Sequence, residues 1–142
     1  MAKFLCLTPE ILQTIHSMMK KILVVDDDPD FLYTIKTILT NYGFIVDTVE
    51  SQDDIYKSIL IFDPAVILLD VYLDGADGRN ICRGLKNHFR TKNIPVIFCS
   101  GDRSLPEGYD QYLAEGFIEK PLKTKLLVEL LNGYCNMPPS VN

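Results

Sequence analysis

The amino-acid sequence predicts an α/β domain built on a doubly wound, five-stranded parallel sheet of order 2-1-3-4-5, with helices on both faces. Short apolar runs alternate along the chain with segments in which apolar residues recur at helical spacing. Runs that are apolar at every position are typical of strands covered on both faces, as in parallel sheets. Right-handed crossovers between such strands imply a doubly wound sheet. In open parallel sheets the ligand crevice lies beyond the carboxyl ends of the strands.

The predicted strands are the apolar runs themselves, which cover residues 22–25, 45–49, 66–69, 96–99 and 117–118. Four of these runs lead into polar residues that can carry chemistry: Asp26 and Asp27, Asp70, Ser100, and Lys120. The carboxyl ends of parallel strands meet at one edge of a sheet. We therefore expect three carboxylates, a hydroxyl and an ammonium to gather there.

The helices are predicted from capping residues, helix breakers and apolar spacing. Asp28 and Pro29 form an N-cap and a first-turn proline, and Gly43 ends the first helix. The buried faces are expected to be Phe31, Leu32, Ile35, Ile38 and Leu39 in the first helix, Ile55, Ile59 and Phe62 in the second, Ile81, Cys82, Leu85 and Phe89 in the third, and Leu122, Leu126, Leu127, Leu130 and Leu131 in the last.

Two segments of the pattern are less regular. Between Gly101 and Glu115, Pro106 and Gly108 interrupt the helical spacing, so a fourth helix there is expected to be brief or irregular. The last helix is predicted to stop near Gly133.

Residues 20–133 are predicted to form the domain, with 1–19 as an N-terminal extension and 134–142 as a flexible C-terminal tail. In the extension, Thr8, Pro9 and Glu10 form a helix-start signature. Five apolar residues would share one side of that helix: Ile11, Leu12, Ile15, Met18 and Met19. Two interpretations stay open, an extra helix that docks on the domain or on a partner, and residues added upstream of a natural start at Met18 or Met19.

Composition excludes several classes of function. The 142 residues suit one domain, and a net charge of -5 with a pI near 4.9 offers no basic stripe for nucleic acid. The apolar stretches are far shorter than the roughly 18 residues of a membrane span, and residues 4–7 are too short for a signal-peptide core. The cysteines are widely spaced, which favours reduced thiols over zinc or disulfides. We expect a cytoplasmic protein that binds neither nucleic acid nor membranes.

The clustered acids need compensation. Two carboxylates about 4 Å apart repel by roughly 4 kcal/mol at an effective dielectric constant near 20. Either they take up protons or a divalent cation neutralises them, and an oxygen-only cluster beside solvent favours Mg²⁺. Mg²⁺ beside a carboxylate and a lysine is what phosphoryl transfer requires, and Asp70 is the natural nucleophile.

This set of residues resembles the receiver domain of two-component response regulators, and in particular a chemotaxis-regulator-like single-domain receiver, over roughly residues 20–133. Spacings of 43, 30 and 20 residues separate the matching positions from Asp27 to Lys120. The matches are the acidic pair Asp26 and Asp27, the phosphoacceptor Asp70, the Asp-Gly pair Asp77 and Gly78, the hydroxyl residue Ser100, and Lys120 followed by Pro121.

The resemblance implies a flavodoxin-like fold and a magnesium site, in which Mn²⁺ can substitute. Asp27, Asp70 and the backbone carbonyl of Tyr72 would coordinate the ion, with Asp26 acting through water. It also implies that Ser100 and Lys120 contact the phosphoryl group.

Two further roles are implied for residues on the last strand and beyond it. Phe117 occupies the position of the aromatic residue that moves inward on phosphorylation, although a plain core role fits it equally well. A cis peptide bond is implied before Pro121.

The function implied is that of a stand-alone receiver, which takes a phosphoryl group from a histidine kinase or a histidine phosphotransfer protein and signals to an unidentified downstream protein. It would catalyse only its own phosphorylation and dephosphorylation. Two alternatives stay open: a degenerate receiver used for docking, and a metal-dependent phosphatase. The phosphatase would need a substrate pocket or a general acid two residues beyond the nucleophile, where this chain has Tyr72.

Overall fold

The computed structural model describes residues 6–104 and 108–137, except for the side chains of Gln13, His16 and Ser17. The strands within these residues are β1 (Lys21–Val25), β2 (Ile45–Val49), β3 (Val66–Asp70), β4 (Tyr72–Leu73), β5 (Ala76–Asp77), β6 (Val96–Ser100) and β7 (Gly116–Glu119). The α-helices are α1 (Pro9–Met18), α2 (Pro29–Asn41), α3 (Ile55–Phe62), α4 (Gly78–Asn87) and α5 (Thr124–Cys135). Short 3₁₀ helices cover Gln52–Asp54 and Tyr109–Tyr112.

The predicted sheet is confirmed. Five of the described strands form a parallel sheet in the order β2-β1-β3-β6-β7, which is 2-1-3-4-5 when only the sheet strands are counted. The registers align the carboxyl ends: Asp70 of β3 lies opposite Cys99, and Ser100 of β6 lies opposite Glu119. The residues that end these strands therefore meet at one edge of the sheet.

Two apolar layers cover the faces of the sheet. Alternate strand residues point to opposite sides, so each strand contributes to both layers. One layer packs the sheet against α3 and α4 through Ile55, Ile59, Ile81, Cys82 and Leu85. The other packs it against α2 and α5 through Leu32, Ile35, Leu39, Leu127 and Leu131.

Local signals in the sequence position the two helices that follow the acidic strand ends. Asp28 caps α2 by accepting from the backbone N–H groups of Asp30 (3.0 Å) and Phe31 (3.3 Å). Asp77 caps α4 by accepting from the N–H of Arg79 at 2.9 Å. At Gly78 a Cβ atom would lie 2.1 Å from the carbonyl oxygen of Asp70, so only glycine lets α4 begin this close to the end of β3.

The structure corrects the sequence-based prediction in several places. Leu126, predicted on the buried face of the last helix, is 55% exposed. A small antiparallel hairpin, β4–β5, follows β3 and turns at Asp74 and Gly75, where the φ of Gly75 is 71°. Helix α4 ends at Asn87, so Phe89 falls outside it and is 72% exposed instead of buried. The prediction of a brief or irregular helix between Gly101 and Glu115 is confirmed for the described residues, where Tyr109–Tyr112 form a 3₁₀ helix, and residues 105–107, including Pro106, lie outside the described residues.

The last helix, α5, also ends two residues later than predicted. Helix α5 continues through Gly133 to Cys135, so Tyr134 and Cys135 are helical. The hydroxyl of Tyr134 donates to the carbonyl oxygen of Glu115 at 2.7 Å, and Cys135 packs against the core layer of α2 and α5. The rest of the predicted tail that the structure describes is Asn136 and Met137, and residues 138–142 lie outside it.

Residues 6–19 of the N-terminal extension are described, and they contain helix α1. The hydroxyl oxygen of Thr8 accepts from the N–H of Ile11 at 3.3 Å, which caps the helix start. The apolar residues predicted to share one side are between 38% and 73% exposed, so the domain does not bury them: Ile11, Leu12, Ile15, Met18 and Met19. Among the described helices, none combines the length and the apolar character needed to cross a bilayer.

A partly buried ion pair ties the amino-terminal ends of β6 and β7 to α4. The Lys86 side chain is 6% exposed and pairs with the Glu115 carboxylate, and its ammonium also donates to the carbonyl oxygens of Ile94 (2.7 Å) and Lys92 (3.3 Å). The other carboxylate oxygen of Glu115 accepts from the N–H of Val96 at 2.7 Å. This one pair thus satisfies backbone groups at the start of β6.

We predict that Lys86→Met destabilises the fold by about 2 kcal/mol, because the Glu115 carboxylate and the Ile94 carbonyl lose their charged donor. Urea denaturation measures the change in the free energy of unfolding. Lys92→Met is the matched control, since the Lys92 side chain is exposed and its loss should change stability by less than about 0.5 kcal/mol. Equal stability of the two variants would contradict the structural role of Lys86.

Candidate functional site

Three carboxylates meet at the carboxyl ends of β1 and β3. Asp26 and Asp27 follow β1, and Asp70 is the last residue of β3. One oxygen of each of these residues can be chosen so that all three lie within 4.8 Å of one another. Asp26 is 1% exposed and Asp70 is 8% exposed, whereas Asp27 lies at the surface. The cluster is therefore a pocket that opens to solvent on the side of Asp27.

Lys120 joins this cluster from the end of β7. Its ammonium donates to Asp26 Oδ2 at 2.5 Å and to Asp70 Oδ2 at 3.4 Å. The Phe31 ring lies beneath the ammonium, with its centroid 4.2 Å from Nζ. The backbone N–H of Lys120 donates to the carbonyl of Ser100 at 2.9 Å, and the peptide bond to Pro121 is cis. The Lys120 ammonium thus lies between Asp26 and Asp70, which follow different strands.

Backbone N–H groups also hold one oxygen of each acid. Asp26 Oδ1 accepts from the N–H of Asp28 at 2.9 Å. Asp70 Oδ1 accepts from the N–H of Tyr72 at 3.2 Å, and Asp27 Oδ2 accepts from the N–H of Asp74 at 2.7 Å. The hairpin β4–β5 with its turn thereby holds one oxygen of Asp70 and one of Asp27.

Ser100 and Phe117 lie on the neighbouring strands. Ser100 is buried at the end of β6, and its hydroxyl oxygen accepts from the N–H of Asp102 at 3.1 Å. Phe117 lies on β7 opposite Phe98 and packs, partly buried, against the core layer of α3 and α4. In this conformation the ring of Phe117 contributes to the core.

The electrostatics of the pocket follow from this geometry. Burial raises the pKa of Asp70, the charge of Asp26 adds to the increase, and Lys120 opposes it. For Lys120, burial alone would lower the pKa, but the hydrogen bond to Asp26 and the charges of both acids outweigh burial and raise it. Lys120 therefore stays an ammonium, while Asp70 carries a charge that the protein compensates incompletely.

The donor set suits a hard divalent cation. All the side-chain ligands available from Asp26, Asp27 and Asp70 are carboxylate oxygens, and Asp27 is open to solvent. Mg²⁺ prefers one or two carboxylates and retains several waters, which such an open pocket accommodates. The residues present thus fit a magnesium ion.

Three contacts at the site had not been predicted from the sequence. The sequence analysis predicts Phe31 only as a core residue, although its ring lies under Lys120, in the first turn of the helix that follows the acidic pair. The N–H of Asp74 depends on the β4–β5 hairpin, which the Asp74–Gly75 turn signal could have revealed. The hydroxyl of Tyr72 donates to Asp102 at 2.6 Å, a pairing of loops that no local pattern indicates.

The comparisons with known proteins agree on one family. Residues 22–132 match the sequence model described as the response regulator receiver domain. The transcriptional regulatory protein GltR of Pseudomonas aeruginosa is 30% identical over 114 residues, which cover 75% of this chain and 47% of GltR. The response regulator protein GraR of Staphylococcus epidermidis is 29% identical over 115 residues, covering 80% of this chain and 50% of GraR. The chain spans about half the length of these relatives.

Solved structures show the same fold. The signal receiver domain of a signal transduction histidine kinase from Syntrophus aciditrophicus superposes with a TM-score of 0.74 at 26% identity, covering 87% of this chain and 97% of that one. The receiver domain of a sensor histidine kinase from Pseudomonas aeruginosa, solved with a magnesium ion coordinated in its active-site cleft, has a TM-score of 0.75 at 22% identity and covers 84% and 99% of the two chains.

We predict that Asp70→Asn raises the melting temperature by a few degrees at neutral pH in buffer with a chelator. Because the pKa of Asp70 is raised by folding, its ionisation costs folding free energy, and stability falls as the pH rises through that pKa. Thermal unfolding followed by circular dichroism tests this. The gain should disappear as the pH falls below the ordinary aspartate pKa of about 3.9, where the carboxyl is protonated in both the folded and the unfolded protein.

The matched control for that measurement is Asp53→Asn, an exposed acid of the 3₁₀ helix before α3, which should leave the melting temperature unchanged. A wild-type protein that is more stable than Asp70→Asn at neutral pH without metal would show that the charge of Asp70 is fully compensated.

Proposed function

Because this chain belongs to the response regulator receiver domain family, we propose that it accepts a phosphoryl group on Asp70 from a phosphohistidine donor and signals through protein contacts. One observation carries the proposal. The ammonium of Lys120 bridges Asp26 and Asp70 in a pocket where three acids converge. A structural ion pair would need one acid, whereas a site for a cation and a phosphoryl group needs all of these groups together.

In the proposed reaction, a carboxylate oxygen of Asp70 attacks phosphorus. The P–N bond to the donor histidine breaks, a P–O bond to Asp70 forms, and the electron pair of the broken bond stays on the imidazole. The transferred group carries its charge on three oxygens, each of which needs a partner. Lys120 lies 3.4 Å from Asp70 Oδ2, so a small shift would bring its ammonium to one of them. The Ser100 hydroxyl and nearby backbone N–H groups serve another.

Asp27, Asp70 and the backbone carbonyl of Tyr72 are the proposed ligands of Mg²⁺, with Asp26 acting through water, and Mn²⁺ can substitute. When bound, the ion supplies positive charge to the phosphoryl oxygens and to the crowded carboxylates. Asp26 is suited to the indirect role because it is the more deeply buried acid and Lys120 lies closer to it (2.5 Å) than to Asp70 (3.4 Å).

The output is proposed to start at Ser100 and Phe117. Ser100 would turn its hydroxyl from the N–H of Asp102 toward the phosphoryl group, and Phe117 would follow into the space beside it. The packing at β6 and β7 would then change, together with the surface that a partner protein contacts.

The proposed partners are a histidine kinase or a histidine phosphotransfer protein as donor and an unidentified downstream protein as target, in the cytoplasm. The family itself supports the donor class, and two of the similar structures are receiver domains of histidine kinases. The net charge of -5 argues against direct binding to nucleic acid.

We predict that acetyl phosphate with Mg²⁺ labels the protein with a phosphoryl adduct that is stable in acid and is released by hydroxylamine. Intact-mass spectrometry after acid quenching detects the adduct. It should be absent in Asp70→Ala, absent with a chelator, and present at the wild-type level in Asp53→Asn. A stable adduct in Asp70→Ala would assign the phosphoryl group to another residue. No adduct on the wild-type protein would favour the docking interpretation.

We also predict that Mg²⁺ raises the melting temperature of the wild-type protein in a concentration-dependent way, since a ligand that binds only the folded state stabilises it. Asp27→Asn removes a charged ligand whose side chain makes no part of the core, and it should weaken the apparent Mg²⁺ affinity by about tenfold or more. Differential scanning calorimetry across a Mg²⁺ titration measures this. An unchanged affinity in Asp27→Asn would place the cation elsewhere.

A further inference from the structure

An apolar groove opens between α3 and the segment that joins α4 to β6. Its volume is about 540 Å³, which is within the usual range of binding pockets. Tyr56, Leu60 and Phe89 line the groove while remaining 44%, 65% and 72% exposed, and the buried Ile59 lines it as well. It also includes Ile94, two residues before β6, so it lies toward the amino-terminal edge of the sheet, opposite the acidic cluster. Exposed apolar side chains gathered in a concave surface indicate an interaction site.

Helix α1 carries a second exposed apolar surface. Helical spacing places five apolar side chains on one side, counting the residue just after the helix, and they are between 38% and 73% exposed: Ile11, Leu12, Ile15, Met18 and Met19. The helix has 10 residues, and isolated helices shorter than about 12 to 15 residues are marginal in water. We therefore expect α1 to gain stability from a partner that covers its apolar side.

The helix and the groove lie at the same edge of the sheet, because α1 leads directly into the start of β1. Two hydrogen bonds hold this connection. The N–H of Lys21 donates to the carbonyl of Met19 at 3.0 Å, and the Lys20 ammonium donates to Asn132 Oδ1, on α5, at 2.7 Å. With its connection held in this way, α1 stays outside the groove of its own chain, whose described lining comes from α3 and the segment after α4 alone.

The charges of the two surfaces are complementary. Glu10 is the only acidic residue among residues 6–19, which contain no Lys or Arg. At the groove, the guanidinium of Arg90 lies over the Phe89 ring, 5.5 Å from its centroid, and no carboxylate of the described residues forms an ion pair with it. Asp63 also lines the groove, but it already has an interaction of its own. Amphipathic helices that bind anionic membranes use Lys and Arg, so a protein groove with an arginine suits α1 better than a lipid surface.

We propose that two copies of this chain dimerise by exchanging α1, so that the helix of each copy occupies the groove of the other. A second copy is the occupant that covers both exposed apolar surfaces of each molecule at once, because every chain supplies one helix and one groove. The arrangement is two-fold symmetric and self-complementary, as in most protein dimers. It does not depend on the proposed function, since the acidic cluster lies at the other edge of the sheet.

The size of the contact predicts a weak and reversible dimer. A helix of 10 residues is about 15 Å long, so one helix in one groove buries less surface than stable interfaces do. Reciprocal exchange doubles the buried surface. We therefore expect a dissociation constant on the order of 10 μM. The two acidic clusters would face away from the interface, which leaves both open to a phosphodonor.

Sedimentation velocity of the full chain over a range of concentrations measures the dimerisation. Ile15→Asp introduces a charge on the apolar side of α1, and Phe89→Asp introduces one in the wall of the groove. Each should raise Kd by about a hundredfold or more, because the buried charge enters both contacts of a homodimer. Tyr33→Asp, at a tyrosine of α2 that is 77% exposed, is the matched control and should dimerise as the wild type does.

Mixing the two variants tests the exchange itself. Phe89→Asp keeps an intact helix and Ile15→Asp keeps an intact groove, so one chain of each can form one of the two contacts. An equimolar mixture should contain heterodimers, with an affinity between that of the wild type and that of either variant alone. A fluorescent label on one variant makes the heterodimer visible in the same sedimentation experiment.

Truncation variants separate lost contact from lost helix. Ile15→Ala favours the helix and removes only apolar contact, and it should weaken dimerisation by about tenfold. Phe89→Ala should have an effect of similar size. At concentrations where the wild type is monomeric, both variants should melt at the wild-type temperature, because Ile15 is 38% exposed and Phe89 is 72% exposed. Circular dichroism measures the melting.

Four results would overturn the proposal. A wild-type protein that stays monomeric up to about 1 mM does not exchange α1. Dimerisation of Phe89→Asp at wild-type affinity would show that α1 does not use the groove and pairs with the other α1 instead. Dimerisation of Ile15→Asp at wild-type affinity would show that the interface excludes α1. A mixture without heterodimers would show that helix and groove do not meet. None of these results depends on phosphorylation of Asp70, so the proposed function is tested separately.

Discussion

The contact between the Lys120 ammonium and the two buried acids, Asp26 and Asp70, is the interaction on which the site depends. A carboxylate as buried as Asp26 would be costly without an opposite charge, and Lys120 supplies that charge at 2.5 Å. The contact also joins β7 to β1 and β3, strands that are not all neighbours in the sheet. Without the lysine, the acids at these strand ends would repel one another in a region shielded from water.

Lys120 neutralises the negative charge of the acids only in part, and the remaining charge makes the site reactive. One ammonium faces three acids, and its distance to Asp70 is 3.4 Å, longer than to Asp26. The pKa of Asp70 is accordingly raised by burial and by Asp26. A cation in the pocket would be attracted by the negative charge that Lys120 does not neutralise. Functional sites commonly retain such uncompensated charge at a cost in folding stability.

The fold and most of the site follow from local signals in the sequence. Apolar runs, the caps Asp28 and Asp77, and the rule that parallel strands place their carboxyl ends at one edge together predict the sheet order and the convergence of Asp26, Asp70 and Lys120. The resemblance to receiver domains was needed for the individual roles in metal and phosphoryl binding.

What the sequence did not predict depends on contacts between distant segments. The Tyr72–Asp102 bond joins loops whose relative position is set only after β3 and β6 pair. Helix α5 passes Gly133 because Tyr134 gains a hydrogen bond to Glu115, on a different element, which outweighs the weak helix propensity of glycine. The exposure of Phe89 has a local origin, because its spacing matched a helix that ends two residues earlier.

The central claim is that Asp70 carries a phosphoryl group within reach of Lys120 and Ser100. A crystal structure with Mg²⁺ and beryllium fluoride, a mimic of the phosphoryl group, tests it most directly. The account predicts beryllium bonded to a carboxylate oxygen of Asp70, with the Lys120 ammonium and the Ser100 hydroxyl each on a fluorine and the cation held by Asp27. Beryllium fluoride bound at another residue, or bound at Asp70 while Lys120 stays paired with Asp26 alone, would contradict it.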